Sequence, residues 1–352
     1  MQVEPGRHVM DRRLEEQLVA LESVDLVASW HQRIFARQLN SRRANEIASS
    51  ARQAREYFRN AASAAHSVRP LLSYYGNSAL ARSAVLLLRP NAGEESLTQG
   101  HGLKTVGWAA MLTAAMPQSL SGMGGLKIRM TDGLFQELIA STENRICLHT
   151  RSSNVDWSLD YPGPTSGCEL TLMDIASRLP DLTRSLGGEV TSTPSLSMVH
   201  EIAFDISSGF RAMAYRNAAS TIPDAYRAAG YKVADVGNFF ELTCTADGTQ
   251  QAMPQFSHRY IEKMFGSIPS LYLTTPFPKE VRLSQIAVTF ALSYVLGMLT
   301  RYFPTHWIAV QSGSKGDELW PMLFAAQRYV EQAFPELILE YLEHRLAKTA
   351  ST

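Results

Sequence analysis

The sequence predicts a mainly α protein in which N- and C-terminal helices form one helical domain around an inserted α+β region. Three observations carry this. Apolar residues recur at three- to four-residue spacing through the first third of the chain. The same spacing returns from about Leu283 onward. Between these stretches the pattern breaks into short β-rich runs punctuated by glycine and proline. The expected division is 1–110 and 283–352 for the helical domain, with 111–282 as the mixed insertion.

Leu14, Leu18, Leu21, Val24, Val27 and Trp30 mark one apolar helical face. A second helix is expected from Arg42 to about His66, rich in alanine, the strongest helix former. A third runs from Pro70, suited to a first turn, to Leu88. Asn91 to Gly102 reads as a loop, and Ser121 to Gly125 (SGMGG) as a glycine turn. LKIRM and RICLHT read as strands, whereas Leu170 to Leu186 returns to helical spacing interrupted by Pro180. Several short strands follow from Glu189 to about Leu283, with Ala246 to Gln251 (ADGTQQ) as a hairpin tip. Leu283 to Arg301 is almost wholly apolar, so it is expected to be buried on all sides. Pro304 turns the chain, and one or two helices complete it between Glu318 and Lys348.

Composition excludes several classes. The 33 basic and 33 acidic residues cancel, so net charge does not indicate a dedicated nucleic-acid binder. From Met1 to Pro90 there are 13 Arg or Lys against 8 Asp or Glu, a weak local surplus. The 3 cysteines, Cys147, Cys168 and Cys244, form no C-x-x-C pair, which argues against a disulfide framework or a cysteine-based zinc site. The first residues lack the apolar core of a secretory signal. Ile286 to Thr300 falls short of the roughly 20 residues a bilayer requires. A cytoplasmic location away from membranes is therefore expected, with no cofactor and no metal.

The segment RPLLSYYGNSALARSAVLLL, followed by a loop and HGL, resembles the N-terminal half of the YaaC-like bacterial proteins. FALSYVLGMLTRYFPTHW and FPELILEYL resemble the C-terminal signature of the same family, and TLMDIASRLPDL is also similar. The resemblance touches most of the chain and brings no catalytic residue with it.

Three arrangements could carry chemistry. Arg301 and His306, five positions apart, resemble the Arg-x4–6-His signature of HEPN ribonucleases, metal-independent enzymes of toxin and phage-defence modules. In such a site histidine moves a proton and arginine neutralises charge on phosphate. Tyr302 stands where that family commonly has a polar residue, and Pro304 lies in the spacer. His101, between two glycines, is a candidate ligand contact. Arg52, Arg55 and Arg59 share one helical face that could hold phosphates. SGMGG lacks the G-x-x-x-x-G-K-[ST] context and gives no support for nucleotide hydrolysis. No H-E-x-x-H or G-x-S-x-G occurs.

Three readings stay open. The first is an accessory or interaction protein of a multi-protein system, with a protein partner or a second copy of itself. The second is a HEPN-like endoribonuclease. The third is a small-molecule sensor or enzyme that uses the middle region and His101.

Overall fold

The computed structural model describes residues 12–149, 155–164, 166–183, 195–205, 209–216, 220–244, 253–261, 263 and 269–348. The first helical face divides in two. Leu14, Leu18 and Leu21 are buried by α1 (Arg12–Leu21). Ser23 then accepts the Leu26 N–H at 3.3 Å and starts α2 (Val24–Phe35). Asn40 caps α3 (Ser41–Ser63) in the same way, through the Arg43 N–H at 2.9 Å. The alanines of α3 face inward, and Ala44, Ala48, Ala51, Ala54 and Ala61 are buried. Such small side chains allow close contact with α4 (Arg69–Leu88). Arg43 finishes α4: its guanidinium donates to the carbonyls of Arg89, Pro90 and Ala92, each at 2.7 Å. Those carbonyls lie just past the helix end, where a cation is favoured.

The middle region alternates short elements. They are β1 (His101–Val106), α5 (Trp108–Leu112), α6 (Met116–Ser121), β2 (Lys127–Gly133), α7 (Leu134–Ser141), β3 (Arg145–His149), β4 (Val155–Asp160), β5 (Glu169–Thr171) and α8 (Leu172–Ala176). Then follow β6 (Leu196–Asp205), β7 (Gly209–Tyr215), α9 (Ile222–Ala228), β8 (Lys232–Val236), β9 (Phe239–Cys244), β10 (Phe256–His258) and β11 (Leu271–Thr274). The strands form antiparallel sheets in the orders β1-β2-β5, β3-β4 and β10-β11-β6-β7-β9-β8.

Helical spacing at Leu170–Leu186 misleads. Leu170 belongs to β5, and Thr171 and Asp174 form a reciprocal cap that starts the short α8. Pro180–Leu182 is a single 3-10 turn. Residues 246–251 lie outside the described residues, and the strands on either side of them, β9 and β10, are not neighbours in the sheet.

The C-terminal helices close the fold. In α10 (Gln285–Tyr302) every residue from Gln285 to Thr300 is buried. Gly297 lets it approach α4, since a Cβ there would fall 2.7 Å from Tyr74 Cβ. The chain then turns by 104° into α11 (Pro304–Gln311). One long helix, α12 (Trp320–Lys348), includes Pro335 without ending. Among the described residues no single helix is long and apolar enough to cross a membrane. Buried polar contacts fix the helix register: Asn77 Nδ2 donates to Ser293 Oγ at 2.9 Å, and Gln285 Nε2 to the His258 carbonyl at 2.8 Å.

Two apolar cores result. The larger joins residues of α1–α4, α7, α8, α10 and α12. The smaller lies under the six-stranded sheet and includes Ile146, Leu148, Phe210, Phe240 and Leu273. Alternation along β3 connects them: Ile146 and Leu148 enter the smaller core, whereas Cys147 enters the larger.

Candidate functional site

The histidine between two glycines opens β1 rather than standing in a free loop. Gly102 has φ 75° and Gly133 has φ 138°, so both adopt backbone suited to glycine. A Cβ on Gly133 would fall 2.5 Å from Gly102 N and 2.8 Å from Gly100 O. The glycines around His101 therefore permit a close backbone crossing against the turn from β2 to α7. That crossing fixes where the imidazole stands.

His101 Nδ1 lies 2.7 Å from the Tyr74 hydroxyl. Tyr74 is fully buried on α4, and burial raises its pKa well above the ordinary phenol value. The phenol therefore keeps its proton, and the hydroxyl and Nδ1 share one hydrogen bond. With Nδ1 engaged in this way, Nε2 is the ring nitrogen left for a ligand. Burial, aided by the Arg301 charge, lowers the His101 pKa and holds the ring neutral.

Beside His101 is an open cleft of about 960 Å³. Its walls include Lys104 and Thr105 of β1, Asp132 of β2, and the rings of Trp108, Tyr294 and Tyr302. Trp108 is anchored by its Nε1–H, which donates to the Lys127 carbonyl at 2.6 Å. Burial pushes the Tyr294 pKa up to about 12, so this phenol is also neutral. Arg301, at the end of α10, donates to Tyr75 Oη at 2.9 Å, and its guanidinium lies 5.0 Å from the Tyr302 ring centre. The site thus combines a neutral imidazole, the Lys104 ammonium, the Asp132 carboxylate and a set of aromatic faces, with Arg301 close by.

The other sequence candidates lie elsewhere. His306 is half-buried on α11, with its ring edge-on to Phe303 at 6.2 Å. The 104° turn separates its helix from that of Arg301, and the two side chains engage different neighbours. The arginine stripe of α3 meets carboxylates. Arg55 pairs with Glu22, Arg52 approaches the same carboxylate at 3.4 Å, and Arg59 lies 3.3 Å from Glu56. Arg55 is 17% exposed and Glu22 9%, so that pair ties α3 to the junction of α1 and α2. Glycine-rich Gly122–Gly125 is a 3-10 turn before β2.

Sequence reasoning brought His101 and Arg301 forward separately and did not join them. It also missed Tyr74, Lys104, Trp108 and Tyr294 as members of one site. The adjacent tyrosines of SYYG were the available signal: Tyr74 reaches His101, and Tyr75 reaches Arg301.

A pH dependence follows from the histidines. His31, His101 and His344 all have pKa values lowered from 6.5, chiefly by burial. The unfolded chain then binds protons more readily than the folded chain below about pH 6.5. The stability these rings contribute is full above that value and is lost as pH falls through it. Urea midpoints are expected to be lower at pH 5.5 than at pH 7.5, a difference reduced in His31→Gln. Equal midpoints at the two pH values would contradict this.

Fold and site together define a mainly helical protein with a strand-bearing middle region and an aromatic-walled cleft beside His101. The chain belongs to the YaaC-like protein family, whose family model matches residues 21–342. No curated protein and no solved structure matches it.

Proposed function

We propose that this protein binds a small ring-bearing anion in the cleft beside His101. The observation that carries the reading is the convergence of Lys104, Tyr294, Trp108 and the Tyr74-oriented imidazole on one open cavity. Aromatic walls suit a planar ring, and a few fixed polar groups give orientation. Lys104 and the nearby Arg301 supply attraction for a phosphate or carboxylate. His101, neutral at pH 7, offers a hydrogen bond rather than a full charge.

Thermal-shift screening against nucleotides, sugar phosphates and aromatic carboxylates tests the reading. A stabilising ligand is expected from one of these classes. Lys104→Glu, an exposed substitution, is expected to weaken it by about tenfold or more, roughly 1.4 kcal/mol. If no member of these classes stabilises the protein, or if Lys104→Glu binds every hit as well as wild type, the cleft is not an anion site.

An interaction role has its own supporting observation. Tyr215, Phe239 and Val236 lie side by side across β7, β9 and β8, and Tyr215 and Val236 are 41% and 45% exposed. His200 stacks on Phe239 with ring centres 4.7 Å apart. This row of apolar surface suits a second copy of the chain. Sedimentation is expected to show wild-type self-association that is lost in the Tyr215→Lys/Val236→Lys double variant. Identical sedimentation of the two proteins would remove this reading.

A further inference from the structure

A second cluster lies away from the cleft, where β3 meets α12. Cys147 and His149 stand two residues apart on β3 and so share a strand face. Glu340, on α12, comes to the same place. One ligand atom from each of the three lies within 4.8 Å of the other two. His149 is 5% exposed, and its Nε2 sits 3.3 Å from Glu340 Oε2. The two atoms are nevertheless not aligned as a hydrogen bond, and this buried Nε2 has no hydrogen-bond partner. A buried imidazole nitrogen without a partner is costly unless something else fills its lone pair.

We propose that Cys147, His149 and Glu340 bind a single zinc ion. The donor set selects the metal class: sulfur, imidazole nitrogen and carboxylate suit zinc, whereas calcium and magnesium prefer oxygen alone. Charge also balances, because one thiolate and one carboxylate together neutralise a divalent ion. Zinc bonds of about 2.0–2.3 Å require ligand separations of roughly 3.3–3.8 Å, so loading draws the groups inward by about 1 Å. Three protein ligands leave the fourth position of the tetrahedron to water.

The surroundings support the ligands. Tyr260 Oη donates to Glu340 Oε2 at 3.2 Å, which orients the carboxylate. The His149 backbone N–H donates to His258 Nε2 at 3.2 Å, so that second histidine fixes the strand and is not a further ligand. His258 is fixed in turn by Gln285, whose Oε1 accepts its backbone N–H at 2.7 Å. A zinc ion here would join the strand shared by both cores to the long C-terminal helix. The metal would therefore act across the boundary between the helical body and the strand-bearing region.

The sequence does not display this site. Cys-x-His is common by chance, and Glu340 follows it only after most of the middle region. The cluster exists only once α12 has packed against β3 and β4.

The test is metal titration of the full chain after treatment with a chelator. The expected result is one zinc bound per chain, together with a rise in melting temperature. Cobalt in place of zinc is expected to show a thiolate-to-metal charge-transfer band. Cys147→Ser is expected to abolish that band and to weaken zinc binding by about 100-fold or more, whereas Cys168→Ala and Cys244→Ala leave both unchanged. Tyr260→Phe, which keeps the ring but loses the contact to Glu340, is expected to weaken zinc by roughly tenfold. The absence of a thiolate band in the wild-type cobalt protein overturns the proposal, whatever the variants do. So does a Cys147→Ser protein that retains full zinc affinity.

Discussion

Arg69→Ala is expected to lower the free energy of unfolding by about 3–5 kcal/mol, the loss typical when one partner of a buried ion pair is removed. Arg69 opens α4 and meets Glu331 of α12 through two bonds, Nε to Oε1 at 2.8 Å and Nη2 to Oε2 at 2.6 Å. The side chains are only 9% and 14% exposed. Ser73 Oγ also donates to Glu331 Oε1 at 2.8 Å. Without the guanidinium, the carboxylate keeps a hydroxyl but loses its counter-charge in a region largely shut off from water. The double variant Arg69→Met/Glu331→Leu, which removes both charges, is expected to recover most of the loss. Urea unfolding of the three variants and wild type measures this. If Arg69→Ala unfolds within about 1 kcal/mol of wild type, the pair does not lock the N-terminal helices to the C-terminal one.

That lock bears on what can be read from the sequence. Helices α3, α4 and α10 were legible because each declares itself locally, by alanine content, by a proline in the first turn or by a continuous apolar run. The break at Ser23 was not legible, because the apolar spacing runs across it and only the side-chain cap reveals it. Leu170–Leu186 misled because a strand buried on one face, followed by a short helix, also places leucines three or four apart. The site was harder to read. His101 stood out through its flanking glycines, but those glycines serve a backbone crossing. Arg301 stood out through its spacing to His306, but its contacts are Tyr75 and the Tyr302 ring. No local pattern could join β1 to the end of α10, because packing of α4 between them brings the two together.

Gly133→Ala tests that packing at its tightest point, and its expected cost is about 2–5 kcal/mol. Two effects add. A φ of 138° is open to glycine but strained for alanine, which costs of order 1–3 kcal/mol. The new methyl would also meet Gly102 N at 2.5 Å and Gly100 O at 2.8 Å. These are backbone atoms, so relief requires the strand itself to move, and such overpacking costs a further 1–3 kcal/mol. The same movement would carry His101 away from Tyr74 Oη, break the 2.7 Å contact and release the imidazole. Ligand affinity in the cleft is therefore expected to fall along with stability, even at temperatures where the variant remains folded. Gly163→Ala is the matched control: it is exposed, has nothing within 4 Å of the added methyl, and is expected to change stability by no more than about 0.5 kcal/mol. If Gly133→Ala unfolds at the same urea concentration as Gly163→Ala, the β1 crossing yields easily and cannot be what holds His101 in place. If it is destabilised yet binds a cleft ligand as wild type does, the imidazole is positioned by Tyr74 alone.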